Sequence, residues 1–391
     1  MHVLRRNPWL PALGVLLAVL VVYGARARAD VTTDQPGSII IFPKVISNGT
    51  LDTTIQITNT DNMAHQAQCY YINASGTCSS SGGFCIINGD CPSGETCSRS
   101  CTETDFPVPF TKQQPVGWQA SSGGVNPVTL DTILGAGTAF GGELKCIVIG
   151  PDGAPTVANV LKGEATITSA AGGTESVYNA IAIQATNPSS SPPSNDPYDF
   201  ALPLNNTQYN ACPASLIMNY RPDGTYTFFG TDVTIANELT LVPCTEDITD
   251  LVLGGTPSRA LFTITNEFEQ TVTTSVTFDC WLDDTLADLI PAISTEFANV
   301  TITPPSSSVC LTGDLVGQPC TVPAGGPDPC TGAVPRGGVL LGCLPWTGLL
   351  GVAEQIQTST GGTTREAYNL HVIGTRPGDI IIAPIDAVPG P

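Results

Sequence analysis

Leu161-Lys-Gly-Glu-Ala-Thr-Ile167 and Leu350-Gly-Val-Ala-Glu-Gln-Ile356 are the two segments that decide the fold of this 391-residue chain. A Tyr-Asn pair follows each of them, Tyr178-Asn179 eleven residues after the first and Tyr368-Asn369 twelve residues after the second. Earlier in the chain, Leu51–Thr58 alternates apolar and polar residues at its end, as is typical of a half-buried strand. The repeated spacing predicts a duplicated β module. Because both copies hold the Tyr-Asn pair, we expect its four residues to form a framework that satisfies backbone groups of the sheet.

The duplication extends over most of the chain. Ile57-Thr58-Asn59 and Ile264-Thr265-Asn266 end an early strand in each copy, and a further strand follows with Cys69 or Cys280. The first strand, Ser38–Pro43, is mostly apolar and is expected to end at its proline. β-Branched residues dominate these strands, and 40 Gly and 33 Pro interrupt the chain at short intervals. This pattern predicts an all-β fold of two tandem antiparallel β-sandwich domains of immunoglobulin-like type, with disulfide-rich loop insertions.

The N-terminus has the features of a secretory signal peptide over residues 1–29. Arg5 and Arg6 precede the apolar run Leu10–Tyr23, and the small-residue cleavage motif Ala27-Arg28-Ala29 follows it. The apolar run is shorter than the ~20 residues that a membrane-spanning helix needs. We therefore expect a mature chain without a transmembrane span, secreted, extracellular or at the cell surface, with the periplasm as a further location.

The charge of the mature chain narrows the classes of partner. Residues 30–391 keep all 34 Asp and Glu but only ten of the 14 Lys and Arg, so the formal net charge changes from −20 to −24. A surface of this charge repels polyanions. This argues against binding to nucleic acids and to anionic lipids.

All 14 cysteines follow the predicted cleavage site, as expected of disulfides formed in an oxidising compartment. No C-x-x-C pair occurs, and only His65 and His371 follow that site, which disfavours a zinc centre. The predicted disulfide cysteines are Cys69, Cys78, Cys85, Cys91, Cys97, Cys101, Cys146, Cys212, Cys244, Cys280, Cys310, Cys320, Cys330 and Cys343.

Cysteine counts also place the predicted domain boundary. With Cys212 assigned to the first domain, the two domains hold eight and six cysteines, both even numbers. The sequence thus predicts a first β-sandwich domain over 30–230 and a second over 231–391. Cys-rich insertions are expected at about 73–105 and about 303–336, and the Pro/Ser-rich segment 187–197 is expected to be a loop of the first domain.

No catalytic constellation is apparent in the sequence, which lacks G-x-S-x-G, H-E-x-x-H, P-loop and G-x-G-x-x-G motifs. Asp283, Asp284 and Asp288 follow Cys280 in a segment that could form a short helix before Pro291. Carboxylates at 284 and 288 would then share a helix face, where Ca²⁺ is a candidate ligand and solvated surface charge is the alternative. A glycosidase with paired carboxylates is a further alternative.

Two features carry a resemblance to a known class. The Ile-Thr-Asn strand and its turn resemble early strands of bacterial immunoglobulin-like domains, and Asp90-Cys-Pro-Ser-Gly-Glu-Thr-Cys97 resembles disulfide repeats in secreted proteins of Gram-negative bacteria. Together they resemble exported bacterial proteins with tandem immunoglobulin-like domains and Cys-rich insertions. The resemblance implies no known activity, and the chain lacks the Cys…Trp…Cys spacing of antibody-type domains.

These observations predict a secreted or cell-surface structural or interaction protein, adhesin-like and without catalytic activity. The alternative is an extracellular module that binds a ligand through carbohydrate recognition or calcium, and an unrecognised hydrolase remains open. Other extracellular proteins or glycans are the expected partners, and no cofactor other than calcium is suggested. The parts that differ between the copies, chiefly the Cys-rich loops and the acidic run after Cys280, are where function is expected.

Overall fold

The structure is a computed structural model that describes residues 31–122, 139–170, 172, 175–187, 199–245, 248, 258–290, 295–305 and 347–384. The predicted signal peptide (1–29) lies outside these residues, as do nearly all of the 187–197 loop and most of the second Cys-rich insertion. Cys310, Cys320, Cys330 and Cys343 lie outside them too.

The described residues are almost entirely β, which confirms the predicted all-β class. The strands up to residue 183 are β1 Ile39–Ser47, β2 Leu51–Asn59, β3 His65–Asn73, β4 Gly76–Cys78, β5 Phe84–Cys85, β6 Cys97–Arg99, β7 Thr102–Phe110, β8 Pro115–Gln119, β9 Phe140–Ile149, β10 Leu161–Ser169, β11 Glu175–Asn179 and β12 Ile181–Ile183. Those that follow are β13 Asp199–Leu204, β14 Cys212–Tyr220, β15 Gly224–Phe228, β16 Thr231–Pro243, β17 Ser258–Asn266, β18 Thr271–Phe278, β19 Leu282–Thr285, β20 Ala298–Thr303, β21 Leu349–Ser359, β22 Gly362–Asn369, β23 His371–Arg376 and β24 Asp379–Pro384. The helical elements of the described residues are a 3-10 turn at Asn88–Asp90 and α1, Leu286–Leu289.

Strands β1–β3 and β7–β12 form a nine-stranded antiparallel sheet in the order β11-β10-β2-β1-β9-β3-β7, with β12 paired to β1 and β8 to β2. Side chains from these strands form one buried core that includes Phe42, Ile57, Tyr71 and Leu144. The Cys-rich insertion between β3 and β7 forms its own small sheet, β5-β4-β6.

The strands after residue 198 form two larger sheets, β18-β17-β20-β14-β23 and β15-β16-β21-β22, with β19 paired to β16. Leu241, Phe262 and Val300 are among the side chains from the two sheets that share a core, so this half is β-sandwich-like. Strands β13 and β24 form a separate antiparallel pair.

Strand β1 joins the two halves because both of its faces are buried. Ile40 and Phe42 belong to the core of the nine-stranded sheet. Ile39 and Ile41 belong to a different core, shared with residues from β13, β16, β21 and β24. A strand that is buried on both faces needs a nearly continuous apolar sequence, which explains the composition of β1.

The predicted end of the first strand at Pro43 is wrong, because β1 continues to Ser47. The register against β9 shifts between Phe42 and Val45, so Pro43 lies at an irregularity in the pairing. A proline is tolerated at a bulge because its missing N–H removes no regular ladder bond there.

The described cysteines form five disulfides, and none of them is free: Cys69–Cys146, Cys78–Cys91, Cys85–Cys97, Cys101–Cys280 and Cys212–Cys244. The parity argument for a boundary at 231 is therefore wrong, because Cys212 bonds to Cys244 across it. Parity fails because bridges also join the halves, as Cys101–Cys280 does. Moreover, β14 pairs with β20 and β23, so residues 212–220 belong to the later sheets.

The two Tyr-Asn segments form similar hairpins, β10–β11 and β21–β22. Their other neighbours differ, since β10 pairs with β2 whereas β21 pairs with β16. The cysteine landmarks differ too, because Cys69 lies within β3 and Cys280 follows the end of β18. The repeat seen in the sequence therefore coincides with local hairpins and not with an identical strand order.

Candidate functional site

The irregularity in β1 leaves backbone groups that side chains from distant segments satisfy. Trp281 Nε1 donates a hydrogen bond to the Pro43 carbonyl oxygen at 2.7 Å. The Lys44 N–H donates to the Tyr178 hydroxyl oxygen at 3.1 Å, and that hydroxyl donates to the Lys44 carbonyl oxygen at 2.6 Å. Bulges commonly redirect a side chain out of the regular sheet pattern, and here the redirected side chain is that of Lys44.

Three carboxylates from the second half surround the Lys44 ammonium group. Its Nζ lies 2.7 Å from Glu354 Oε2, 2.8 Å from Glu238 Oε2 and 3.0 Å from Asp283 Oδ1. The strand register explains this convergence: Glu238 is directly opposite Glu354, and Asp283 is directly opposite Thr240, two residues further along β16. Like charges directly opposite each other destabilise a sheet, so the second half depends on the cation of the first.

Arg365 supplies a second cation at the edge of this group. Its guanidinium nitrogens lie 3.4 Å from Glu354 Oε2 and 3.6 Å from Glu238 Oε1. The Ser176 hydroxyl donates a hydrogen bond to Glu354, and the Thr240 hydroxyl donates one to Asp283. We refer to the charged residues together as the Lys44 cluster, which consists of Lys44, Glu238, Asp283, Glu354 and Arg365.

Burial and charge shift the pKa values within the Lys44 cluster. Burial alone lowers the pKa of Lys44, but Asp283, Glu354 and Glu238 outweigh it and hold that pKa well above its ordinary value. Burial raises the pKa of Asp283 to about 6, although Lys44 opposes the shift. Burial also acts to raise the pKa of Glu354, yet Lys44 and Ser176 bring it down to about 2. Of Asp283 and Glu354, Asp283 is therefore the carboxyl that more readily takes up a proton.

A cleft of about 160 Å³ adjoins the Lys44 cluster. Ile46 and Leu51 of the first half and Ile86 of the Cys-rich insertion line its apolar part, while Glu238 and Asp283 line its charged part. The insertion is held over this junction by the Cys101–Cys280 bridge. The junction between the halves is thus closed on one side by disulfide-linked structure and open to solvent at the cleft.

The calcium candidates Asp283, Asp284 and Asp288 have different partners in the structure. Asp283 and Asp284 are consecutive residues of β19, so their side chains leave opposite faces of that strand, and the predicted helix holds only Asp288. Asp284 accepts a hydrogen bond from the Thr285 N–H at 2.8 Å, and Asp288 accepts one from the Thr285 hydroxyl at 2.7 Å. In the described residues, the group of three potential metal ligands that lies close together is Cys78, Cys85 and Cys91, all in disulfides.

The Tyr-Asn framework residues lie at the contact between the halves. Asn369 Nδ2 donates to the Asn179 carbonyl oxygen at 2.7 Å, and the Asn179 N–H donates to Asn369 Oδ1 at 3.1 Å. Tyr368 donates to the Asn219 carbonyl oxygen at 3.3 Å, whereas Tyr178 holds the backbone of Lys44. The two hairpins therefore contact each other directly through the repeated asparagine.

Exposed aromatic residues form a surface at one end of the second half. The guanidinium carbon of Arg221 lies 4.4 Å from the ring centre of Phe297, 4.7 Å from that of Tyr226 and 5.2 Å from that of Phe228. Glu267 accepts hydrogen bonds from Thr295 and from the Glu296 N–H, which brings the turn containing Phe268 to the segment of Phe297. The three rings, Arg221 and the exposed neighbours Phe229 and Phe268 are together called the Arg221 surface, which consists of Arg221, Tyr226, Phe228, Phe229, Phe268 and Phe297.

Phe229 of the Arg221 surface occupies an unusual turn position. It is fully exposed at the two-residue loop between β15 and β16, with φ of 51°, and Gly230 follows with φ of 80°. Positive φ at both positions is typical of a type I′ turn, which favours Asn-Gly. A bulky side chain in this region of φ is an outlier, because asparagine adopts the conformation at lower energetic cost. The presence of phenylalanine here therefore suggests a functional reason.

Replacing Phe229 with asparagine is expected to raise the free energy of unfolding by about 1 kcal/mol, because it relieves the left-handed backbone conformation. Urea denaturation of the wild-type chain and the variant measures this difference. Phe228→Asn is the matched control, since residue 228 lies in β15 and the relief does not apply there. A Phe229→Asn variant that is less stable than the wild type would contradict the expectation.

Asp379, which lies outside the Lys44 cluster, makes the stability of the fold depend on pH. Burial raises its pKa to about 6, against the opposing charge of Arg376. Because the folded state holds this proton more tightly than the unfolded chain, stability is highest below the unfolded pKa and falls as the pH rises through about 6. We expect Asp379→Asn to remove about 2–3 kcal/mol of this loss. Melts at pH 4 to 8 check it, with exposed Asp34→Asn as the control; parallel curves for wild type and Asp379→Asn would contradict it.

No match is found among protein-family models or among curated proteins. In the part of the chain that the structure describes, none of the helices has the length and apolar character needed to cross a membrane. Sequence reasoning overlooked Lys44 and Arg221. A lone lysine within the apolar run of β1 is a signal that could have drawn attention to the first of them.

Proposed function

We propose that this protein is a secreted or cell-surface structural or interaction protein without catalytic activity, and that it binds its partner through the Arg221 surface. The observation that carries this proposal is that three aromatic rings, those of the exposed Phe228 and Phe297 and the half-buried Tyr226, surround a single arginine. Aromatic residues and arginine are the side chains enriched at the centres of protein interfaces. Groups of exposed apolar side chains often mark interaction sites on protein surfaces.

The junction between the halves supports the structural part of the proposal. Two halves that are tied by the Cys101–Cys280 bridge and by the buried ion pairs of Lys44 present the Arg221 surface on a rigid body. A rigid, preorganised surface loses less conformational entropy on binding than a mobile one. We further propose that the halves are immunoglobulin-like sandwiches that arose by duplication, on the strength of their repeated Tyr-Asn hairpins.

Export is part of the same proposal. Ten described cysteines are all bonded, which suits an oxidising compartment. Fractionation of cells that express the full chain with a C-terminal tag tests it, with the periplasm, outer surface and medium separated. Recovery of the intact, reduced chain from the cytoplasm alone would overturn the proposal.

The binding role is tested with labelled mature chain on intact cells of the source organism and on a panel of immobilised glycans. The variant Phe228→Ser/Phe229→Ser/Phe297→Ser is expected to lose at least 10-fold in binding to cells, as removal of interface anchors does. Met63→Ser/Val157→Ser is the matched control, because it removes exposed apolar side chains elsewhere. Equal binding by both variants would contradict the assigned surface, and selective glycan binding lost only in the first variant would identify a carbohydrate as the partner.

A further inference from the structure

We propose that Lys44 and Asp283 condense to form an amide bond, a covalent cross-link between the two halves of the chain that is independent of the disulfides. The proposal starts from the distance of 3.0 Å between Lys44 Nζ and Asp283 Oδ1. That contact places Cγ of Asp283, the atom to be attacked, one bond beyond Oδ1. Reactions between groups held together in this way gain greatly over reactions between free groups. The cross-link does not rest on the function proposed above.

The neighbours of Asp283 suit a carboxyl group that is attacked by an amine. The Thr240 hydroxyl donates to the same oxygen, Oδ1, and so can stabilise the negative charge that develops there in the tetrahedral intermediate. Burial favours the protonated form of this carboxyl, with a pKa of about 6, and a protonated carboxyl is a better acyl group than a carboxylate. Glu354 stays ionised, which makes it a poor electrophile and lets its carboxylate hold a proton only transiently.

The amine reacts only after the ammonium group has given up a proton. Glu354 Oε2, at 2.7 Å from Lys44 Nζ, is positioned to accept it. The nitrogen of Lys44 then forms a bond to Cγ of Asp283, and the bond from Cγ to Oδ2 breaks. Two of the three ammonium protons leave with that oxygen as one water molecule, relayed by Glu354, which ends in its starting state. One ammonium and one carboxylate thus become one amide and one water.

The surroundings favour the product. Lys44 is almost completely buried, and the amide removes the desolvation penalty of one buried ammonium and one buried carboxylate. Arg365 then remains as the cation beside Glu238 and Glu354. The adjoining cleft, lined by Asp283 and Glu238, offers the released water a route to solvent. The exclusion of bulk water around Lys44 protects the amide from hydrolysis.

Mass spectrometry of the fully reduced and alkylated wild-type chain tests the proposal. We expect an intact mass below that of the sequence by one water, and a linked pair of peptides that contain Lys44 and Asp283. Trypsin should leave the Lys44–Val45 bond uncut. Peptide mapping is essential, because the Asp152-Gly153 and Asp223-Gly224 sequences can also lose water by forming a cyclic imide.

Variants of the four charged residues test the role that the proposal gives to each of them. Lys44→Arg and Asp283→Ala should lack the linked peptides, whereas Glu238→Gln should keep them. Glu354→Gln should form the link at least 100-fold more slowly, as expected on loss of a general base. A folded wild-type chain that has its full mass and is cleaved by trypsin after Lys44 overturns the proposal. A link from Lys44 to Glu238 or Glu354 also overturns it, because Asp283 would not be the acyl group.

Discussion

Lys44→Met is expected to lower the free energy of unfolding by about 3–5 kcal/mol, the usual cost of removing one partner from a buried ion pair. Methionine matches the length and volume of the lysine stem, so packing changes little. Without the cation, however, Glu238 and Glu354 remain directly opposite each other in the sheet, with Arg365 at the edge of the group. In a chain that carries the proposed amide bond, Lys44→Met removes that cross-link in place of the ion pair.

Urea denaturation under non-reducing conditions measures this effect, with Lys162→Met as the matched control. Lys162 is exposed on β10, and its Nζ is hydrogen-bonded to the Asp34 carbonyl oxygen, so its replacement should change stability by less than about 0.5 kcal/mol. Lys44→Met/Glu354→Met should recover much of the loss, because apolar residues can replace a buried ion pair at little cost. If Lys44→Met is as stable as the control, the cluster does not hold the halves together.

The strands and contacts on which these predictions depend could be foreseen only in part from the sequence. Alternation and β-branched residues in β2 and β10 identify strands, because side-chain direction in a strand is a local property. The meeting of Glu238 and Glu354 is not local, since it depends on the register of β16 against β21, more than a hundred residues apart. The Arg221 surface likewise unites segments that are separated in the chain.

The cysteines show the same difference between local features, which the sequence predicts, and long-range contacts, which it does not. A dense run of cysteines from Cys78 to Cys97 predicts a disulfide-linked insertion, and the two bridges within it have short sequence separations. The Cys101–Cys280 bridge, by contrast, has no local signal, and pairing by parity within each half fails because of such a bridge. Connectivity cannot be deduced from cysteine positions alone.

The Cys101–Cys280 bridge is the site of the second large expected effect. Cys101→Ala/Cys280→Ala should destabilise the chain by about 5 kcal/mol in the chain-entropy description of cross-links, because the two cysteines are 179 residues apart. Cys85→Ala/Cys97→Ala, with a separation of 12 residues, should cost only about 3 kcal/mol. Urea denaturation of both variants, with the remaining bridges intact, measures the difference. A larger loss from the short bridge would contradict the entropic explanation.

The long bridge and the Lys44 cluster should also be energetically coupled. Trp281, which holds the Pro43 carbonyl oxygen, and Asp283, which contacts Lys44, directly follow Cys280 in the chain. When the bridge is removed, this segment is free to leave the junction, so part of the ion-pair stabilisation is already lost. Destabilisation by Lys44→Met and by the bridge variant should therefore be less than additive by about 1–3 kcal/mol in a double-mutant cycle. Additive losses would show that the bridge and the buried charges act independently.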